Sequence, residues 1–412
     1  NLLSVGEIMR ERFLLFIILS CLGVFLYVFQ NYVNTTVGFV ILCVCMVIYG
    51  LYSIAATKYQ KRKLKKHPPV VNENYKPFVS ITSLMRLDYS YSEAKKIYKS
   101  GKTSLIKDKG YNQDIINYID SPSFKDENID TYYLIKYFDN DNFVEHSNAL
   151  ISKGYSSKKI DKINSVNDET LYSVLEEKYV ENIDKYLEYD FFKSANLERY
   201  LNYFNGNYKD TVVKVNIGLD KPYYEDSNVV TNFSDTVLVN KYNKLDSTFV
   251  PSNLTLLDNC SSGEHYLSAD AKKAYDELCK ASLNDDMKIS VNSSYRSYES
   301  QEDVYNYYLK LYGKSYVEKY VATPGYSEHQ TGLCLDVKSL SSNIFRNSKE
   351  YEWMLNNAYK YGFILRYPKG KNDITGYSNE EWHFRYVGVD IAKYIYDNDI
   401  TYDEYYAMFI DK

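Results

Sequence analysis

The chain has 412 residues and a net charge of -5, with 45% hydrophobic and 25% charged residues. This length accommodates two folded regions and a membrane segment. The slightly acidic balance gives no indication of a nucleic-acid partner, which would favour a basic surface. Tyrosine is abundant, with 47 residues against 8 prolines. We interpret this excess as a compositional bias rather than as a binding surface.

Two uncharged apolar segments, 13–30 and 39–56, lie near the amino terminus. As helices they would each span about 27 Å, close to the thickness of a bilayer core. The first is not typical of a signal peptide, because no small-residue cleavage site follows it and a second apolar segment comes soon after. The sequence therefore predicts a tail over 1–12 and a transmembrane hairpin over 13–56.

A basic linker, 57–82, follows the predicted hairpin, and Arg10 and Arg12 precede it. Six cationic residues lie between positions 58 and 66. The positive-inside rule would hold both flanks in the cytoplasm. Residues 9–81, which end in HPPVVNENYKPFVSI, weakly resemble the membrane hairpin of family 2 glycosyltransferases. The acidic nucleotide-sugar motifs of that family do not follow.

Residues 83–205 contain few glycines and prolines, and apolar residues recur at helical spacing. A weak repeat starts at Tyr89, Tyr111 and Tyr155, each followed by apolar residues five and eight positions later. Those apolar residues are Ala94, Ile97, Ile116, Ile119, Ile160 and Ile163. Repeats of this length predict short helices that each bury one stripe against a neighbour. We predict an α-helical spacer here, with binding to the cell wall or to a partner as the alternative.

Beyond position 205 the pattern becomes mixed. Thr211–Ile217 alternates like a strand, Ser268–Ala281 is typical of a helix, and Met287–Val291 is again typical of a strand. We predict a compact α+β domain over 211–412. Cys260 and Cys279 could form a disulfide outside the cell, although their spacing alone does not establish it.

Two histidines and an aspartate in this domain form a candidate metal site. A catalytic zinc takes three protein ligands and keeps one position open. His329, Asp336 and His383 supply two imidazoles and one carboxylate, and a turn after His329 could bring Asp336 back to the same ion. Asp336 lies between Leu335 and Val337, where a solvated aspartate is not expected. We predict one Zn²⁺ per chain.

A zinc hydrolase also needs a base that takes a proton from water and returns it to the leaving group. Glu380, three residues before His383, is placed for this role, and Glu381 is the competing candidate. On a helix, three residues would put Glu380 on the face of His383. On a strand, the argument from spacing weakens.

Three sequence blocks carry a family resemblance. They are Ser294-Tyr-Arg-Ser297 with Gln301, then Ser327-x-His-x-x-Gly-x-x-x-Asp336, then Glu380-x-Trp-His-x-Arg385. Together they resemble the VanY-like D-alanyl-D-alanine carboxypeptidases over about 211–412. Those enzymes are zinc peptidases that share the LAS/hedgehog-type fold of lysostaphin-like enzymes and the hedgehog signalling domain. The chain departs from the family at Glu381, where proline is usual, and at Cys334, where alanine is common.

The resemblance implies a role for each site residue. His329, Asp336 and His383 would be zinc ligands, and Glu380 would be the general base. Arg296 would steady the oxyanion formed at the attacked carbonyl. Ser327 and Gln301 would help to hold the terminal carboxylate of the substrate.

The sequence thus predicts a carboxypeptidase that removes a C-terminal D-alanine, by D,D or L,D cleavage, from peptidoglycan stem peptides. The alternatives are a peptidoglycan cross-link endopeptidase and a non-catalytic wall-binding membrane protein. The predicted partners are the stem peptide and a lipid bilayer, without nucleic acid, and no oligomeric state is indicated. We expect the protein in the cell membrane, with the catalytic domain outside because stem peptides lie there, although the flanking charges favour the cytoplasm.

Overall fold

The computed structural model describes residues 76–136 and 142–411, together with the isolated positions 44, 47, 48 and 51. The predicted tail over 1–12, the hairpin over 13–56 and most of the linker over 57–82 lie outside the described residues. Within those residues, no helix combines the length and the apolar character that a membrane crossing requires. The chain divides into two compact units, Asn1–Tyr133 and Leu134–Lys412, so their boundary lies inside the predicted spacer.

Short helices account for the amino-terminal half of the described chain. They are α1 (Lys76–Met85), α2 (Tyr91–Lys99), α3 (Thr103–Lys107), α4 (Ile115–Tyr118), α5 (Ile129–Leu134), α6 (Phe143–Ser152), α7 (Ser157–Val166), α8 (Glu169–Glu177), α9 (Ile183–Tyr186), α10 (Leu197–Tyr203) and α11 (Tyr208–Ile217). Two 3₁₀ turns, Asp126–Asn128 and Ser194–Asn196, lie between them. The predicted helical character of 83–205 is confirmed.

The repeat tyrosines connect successive helices. The Tyr89 hydroxyl accepts a hydrogen bond from the amide of Asn112 at 3.0 Å. The Tyr155 hydroxyl accepts one from the amide of Val180 at 2.7 Å. The predicted apolar stripe is buried at Ala94, Ile97, Ile119, Ile160 and Ile163. At the remaining position, Ile116 is only half-buried and its neighbour Ile115 enters the core instead.

The predicted strand over Thr211–Ile217 is wrong, because these residues belong to helix α11. The Asn207 side chain caps the helix by accepting a hydrogen bond from the amide of Asp210 at 3.0 Å. Gly218 ends the helix at φ +103°, a conformation that glycine adopts at low cost. The β-branched residues are buried, and packing outweighs their weak preference against helices. The helix shares a hydrophobic core with the carboxy-terminal domain. This core includes Tyr186, Tyr200, Val212, Tyr242, Ile374 and Met408.

The carboxy-terminal domain combines strands and helices, as predicted. Its strands are β1 (Asn228–Val229), β2 (Asn243–Lys244), β3 (Leu254–Leu256), β4 (Tyr266–Ser268), β5 (Ile289–Ser293), β6 (Cys334–Ser339), β7 (Phe363–Tyr367) and β8 (Glu380–Tyr386). Its helices are α12 (Ala269–Asn284), α13 (Tyr298–Tyr312), α14 (Lys314–Tyr320), α15 (Lys349–Asn357), α16 (Asn372–Thr375), α17 (Val389–Asn398) and α18 (Tyr402–Tyr405), followed by a π-helical turn at Tyr406–Ile410. Three 3₁₀ turns complete the domain at Glu328–Thr331, Phe345–Asn347 and Ala358–Tyr361.

A four-stranded antiparallel sheet in the order β5-β6-β8-β7 organises this domain. One face carries the core, in which Leu335 and Val337 of β6 pack with Tyr275 of α12 and Trp353 of α15. Alternate side chains of a strand point to opposite faces. Asp336 therefore lies on the other face of β6, and this face positions the site described below.

The disulfide between Cys260 and Cys279 is present in the structure. It links the segment before β4 to helix α12. The carbonyl oxygen of Cys260 also accepts hydrogen bonds from the amide of Val291 at 2.9 Å and from the hydroxyl of Tyr275 at 3.0 Å. The segment is thus held to both α12 and β5.

Candidate metal centre

His329 and Asp336 are brought together by a tight turn. Ser327 caps the turn Glu328–Thr331 by accepting a hydrogen bond from the amide of His329 at 3.3 Å. Gly332 ends the turn at φ +67°, and a Cβ at this position would lie 2.8 Å from a leucine side chain. The left-handed conformation and the close contact both favour glycine at this position. The chain then enters β6, and His329 Nε2 lies 3.5 Å from Asp336 Oδ2.

His383 reaches the same point from the neighbouring strand. Asp336 of β6 is paired directly with His383 of β8, and His383 Nδ1 lies 3.3 Å from Asp336 Oδ1. The two imidazole rings are 5.0 Å apart at 79°. His329 Nδ1 donates a hydrogen bond to the carbonyl oxygen of Ser294 at 2.6 Å, which leaves its Nε2 as a lone-pair donor on the side of Asp336.

Cys334, at a position where alanine is common in the family, lies next to the two histidines. One ligand atom each of His329, Cys334 and His383 lie within 4.8 Å of one another. Burial raises the pKa of the Cys334 thiol, but the two histidines lower it to about 7. The thiol is completely buried, whereas Asp336 retains some exposure. Cys334 and Asp336 both lie beside the two histidines as candidates for a third ligand, and Asp336 also lines the cavity described below.

Glu380 and Glu381 point in different directions. Glu380 is buried, and its Oε2 lies 3.6 Å from His383 Nδ1. Glu381 Oε1 lies 3.6 Å from the NH1 atom of the exposed Arg346. Burial raises the pKa of Glu380 to about 7, although His383 lowers it. Of the two candidates, Glu380 has the position and the proton affinity of a general base.

The stretch that holds Glu380 is a strand, so helical spacing does not explain its position. Residues three apart on a regular strand would face opposite sides. The pairing of β7 with β8 is irregular here, because Leu365 pairs with Phe384 while Tyr367 pairs with Glu380. Two residues of β7 therefore span four of β8, which is a bulge. This bulge allows β8 to present both Glu380 and His383 to one site.

Arg296 faces the cluster from the segment after β5. Its NH1 donates to Gln301 Oε1 at 2.6 Å, and its NH2 donates to Ser293 Oγ at 2.7 Å. The Gln301 amide nitrogen donates to the carbonyl oxygen of Ala322 at 2.7 Å. One polar end of Gln301 thus holds Arg296, and the other is anchored to the backbone at Ala322. In this structure Gln301 acts first as a support for the guanidinium.

A cavity of about 540 Å³ unites these residues. It is lined by all seven residues singled out from the sequence, namely Arg296, Gln301, Ser327, His329, Asp336, Glu380 and His383. Trp382 lines the same cavity. A positive guanidinium, three potential zinc ligands and a buried carboxylate therefore face one space.

Comparison with known proteins places this geometry in a family. A family model described as VanY, D-alanyl-D-alanine carboxypeptidase, matches residues 264–389. The candidate carboxypeptidase YodJ of Bacillus subtilis strain 168 is 40% identical over 179 residues, which cover 41% of this chain and 66% of YodJ. The bifunctional D-Ala-D-Ala dipeptidase and carboxypeptidase VanXYC of Enterococcus gallinarum is 36% identical over 177 residues, which cover 41% of this chain and 92% of VanXYC. The chain belongs to the VanY family of D-alanyl-D-alanine carboxypeptidases.

Two solved structures are also similar. The LD-carboxypeptidase LdcB is 37% identical, with 45% of this chain and 91% of LdcB covered and a TM-score of 0.42. A mutant of the D,D-pentapeptidase VanY from a VanB-type resistance cassette, in complex with Zn(II), is 33% identical, with 42% of this chain and 98% of that chain covered and a TM-score of 0.38. The chain spans a little under two thirds of the length of YodJ.

The donor set of this site fits zinc. Asp336 Oδ1 is buried without a hydrogen-bond partner, although two imidazoles lie close to its carboxylate. Buried carboxylate oxygens are rarely left unpaired unless a cation satisfies them. Two imidazole nitrogens and a carboxylate are a common catalytic zinc set. The chain is a zinc metallopeptidase of the VanY type.

Glu328 is a further residue of this VanY site, which the sequence analysis missed. Its Oε1 accepts hydrogen bonds from Arg366 at 2.8 Å and from Arg385 at 3.1 Å, and its Oε2 lies 3.5 Å from His383 Nε2. Burial would raise the pKa of Glu328, but the two arginines lower it below the ordinary range of a glutamate. A carboxylate on the far nitrogen of a metal-binding histidine orients the ring. The signal in the sequence was an acid directly before His329.

Proposed function

We propose that the peptidase domain removes a C-terminal D-alanine from peptidoglycan stem peptides. The observation that carries the proposal is a single cavity lined by Arg296 and by the cluster of His329, Asp336 and His383. A carboxypeptidase must recognise a free carboxylate and stabilise a second negative charge at the attacked carbonyl. A guanidinium is suited to such charges because its hydrogen bonds to oxygen anions are charge-assisted.

The residues of the cavity divide the chemistry among themselves. Zinc held by His329, Asp336 and His383 would act as a Lewis acid, which would polarise the carbonyl of the substrate and make a water molecule more acidic. Glu380 takes the proton of the attacking water and returns it to the leaving amine, which departs as the free amino acid. In the capping interaction the Ser327 hydroxyl oxygen accepts a hydrogen bond from the amide of His329. The hydroxyl can therefore still donate its hydrogen to the terminal carboxylate of the substrate.

Release of D-alanine from defined peptides tests the proposal. The purified full-length chain is incubated with a stem pentapeptide that ends in D-Ala-D-Ala and, separately, with a tetrapeptide that ends in a single D-Ala. Release from the pentapeptide alone would establish D,D activity, and release from the tetrapeptide alone would establish L,D activity. Chelation of zinc should abolish release, and added Zn²⁺ should restore it. A protein with full zinc that releases D-alanine from neither peptide would contradict the proposal.

We further propose that the peptidase domain works outside the cytoplasmic membrane. Stem peptides of the mature wall lie there, and the Cys260–Cys279 disulfide is of a kind that persists in oxidising compartments. The basic residues beside the predicted hairpin favour the opposite orientation. Protease added to wall-stripped intact cells should digest residues 211–412. Digestion only after lysis would place the domain in the cytoplasm.

A further inference from the structure

Four tyrosines form a continuous stack beside the site. Tyr308 and Tyr312 lie on α13, and Tyr316 and Tyr320 lie on α14. The ring centres of Tyr312 and Tyr316 are 4.6 Å apart, and those of Tyr316 and Tyr320 are 4.9 Å apart. Tyr308 lies 6.0 Å from Tyr312 and 5.9 Å from Tyr316, with interplanar angles of 19° and 24°. We call these four residues the tyrosine platform.

The platform results from spacing on two helices. Its members recur every four residues, which places them on one helix face. Gly313, at φ +80°, separates the two helices, and the ring contacts continue across this break. Tyr312 is 56% exposed and Tyr320 is 42% exposed. Clustered exposed aromatic surface is uncommon on a folded protein unless it binds something.

The platform is continuous with the catalytic cavity. Tyr308, Tyr316 and Tyr320 line the cavity that contains His329 and His383. Tyr312 stacks on two of these rings while lying further towards solvent. The stack therefore leads from the reacting site to the protein surface, where the upstream part of a bound substrate must emerge.

We propose that the tyrosine platform binds a sugar ring of the glycan strand that carries the stem peptide. This inference rests on the proposed function, because it concerns the same substrate. Pyranose rings present flat faces of C–H groups, which stack on aromatic rings, and hydroxyl groups at their edges, which can pair with tyrosine hydroxyls.

The length of the substrate agrees with this assignment. Four stem residues separate the sugar from the bond that a D,D cleavage breaks, and in extended form they span about 13 Å. The end of the peptide occupies the inner part of the cavity, at the two histidines, and the sugar then lies about 13 Å away, towards the cavity mouth. There the platform continues through Tyr312.

A comparison of two substrates tests the platform. One is the free stem pentapeptide, and the other is the same pentapeptide attached to its disaccharide. Stacking of a nucleobase on an aromatic side chain changes binding by about tenfold or more, and we take tenfold as the scale for a sugar ring. We expect Tyr312→Ala to lower kcat/KM for the disaccharide peptide about tenfold, mainly through KM, and to leave the free peptide unchanged. Tyr312→Phe should retain most of the preference, because it keeps the ring.

Tyr396→Ala provides a matched control. Tyr396 is 46% exposed and stacks on Tyr359 at 3.9 Å, as part of α17 rather than of the cavity. It should affect neither substrate. Equal kcat/KM for both substrates in the unmodified enzyme and in Tyr312→Ala would overturn the platform and leave the proposed function intact. If neither peptide is cleaved, the proposed function fails. Calorimetry with the disaccharide alone then tests the platform. Equal affinity of Tyr312→Ala and of the unmodified protein for the disaccharide would refute the platform.

Discussion

Replacement of Glu380 by glutamine tests the proposed chemistry most directly. Glu380 is buried, and its Oε2 lies 3.6 Å from His383 Nδ1. Glutamine has nearly the same size and shape as glutamate. It cannot accept the proton of the attacking water. The substitution should therefore remove the proton transfer while leaving the zinc ligands in place.

The size of the effect follows from the position of Glu380. A positioned general base contributes about 10²–10⁴-fold to the rate, which corresponds to about 3–5 kcal/mol of transition-state stabilisation. Only 7% of Glu380 is exposed, so bulk water has little access to replace the lost base. We therefore expect kcat to fall by about 10³-fold or more, in the upper half of the range.

Glu381→Gln is the matched control for this prediction. Glu381 pairs with the exposed Arg346 at 3.6 Å, and such surface pairs contribute at most about 1 kcal/mol. Its kcat should stay within about fivefold of the unmodified enzyme. The assay is D-alanine release under saturating peptide, with zinc content measured on the same samples. A large loss of activity in Glu381→Gln, with little loss in Glu380→Gln, would refute the assignment of the base.

Three further changes test the site and its frame. The double variant His329→Ala/His383→Ala should lose its zinc. Near-stoichiometric zinc in the purified double variant would rule the site out. Glu328→Gln should weaken zinc binding by about 10–100-fold in a competition titration, because the ring of His383 loses its charged partner; unchanged affinity would contradict that role. Reduction of the Cys260–Cys279 disulfide should lower the free energy of unfolding by about 3 kcal/mol, seen as a lower Tm, and an unchanged Tm would show that the crosslink contributes nothing.

The metal cluster could be predicted from the sequence because its parts are local. The turn from His329 to Asp336 spans eight residues, and Glu380 and His383 lie on one short strand. The family pattern in the sequence favoured Glu380 over Glu381 as the base. The sequence did not show why Glu380, rather than Glu381, points towards His383. This orientation depends on a bulge in the pairing of β8 with β7, and strand pairing is a tertiary property.

Three other features could not be predicted from the sequence, each for a physical reason. Glu328 matters because Arg366, 38 residues away, and Arg385, 57 residues away, meet it in the interior. The alternation over Thr211–Ile217 indicated a strand, yet burial on several sides stabilises a helix there. The tyrosine platform was concealed by the general abundance of tyrosine, because composition does not distinguish a ring in the core from a ring at a cavity mouth.

The helical repeats imply a particular way in which this protein could change during evolution. Repeat arrays have mainly nearest-neighbour contacts, so a duplicated or deleted unit leaves distant units unaffected. Tyr89 and Tyr111, the first two repeat tyrosines, are 22 residues apart, while the core shared with the peptidase domain involves only the last helices, from Tyr186 onwards. Gene rearrangements in steps of about one repeat would therefore change the number of helices that precede the peptidase domain. The hydrophobic core of the peptidase domain would stay the same whatever the number of repeats.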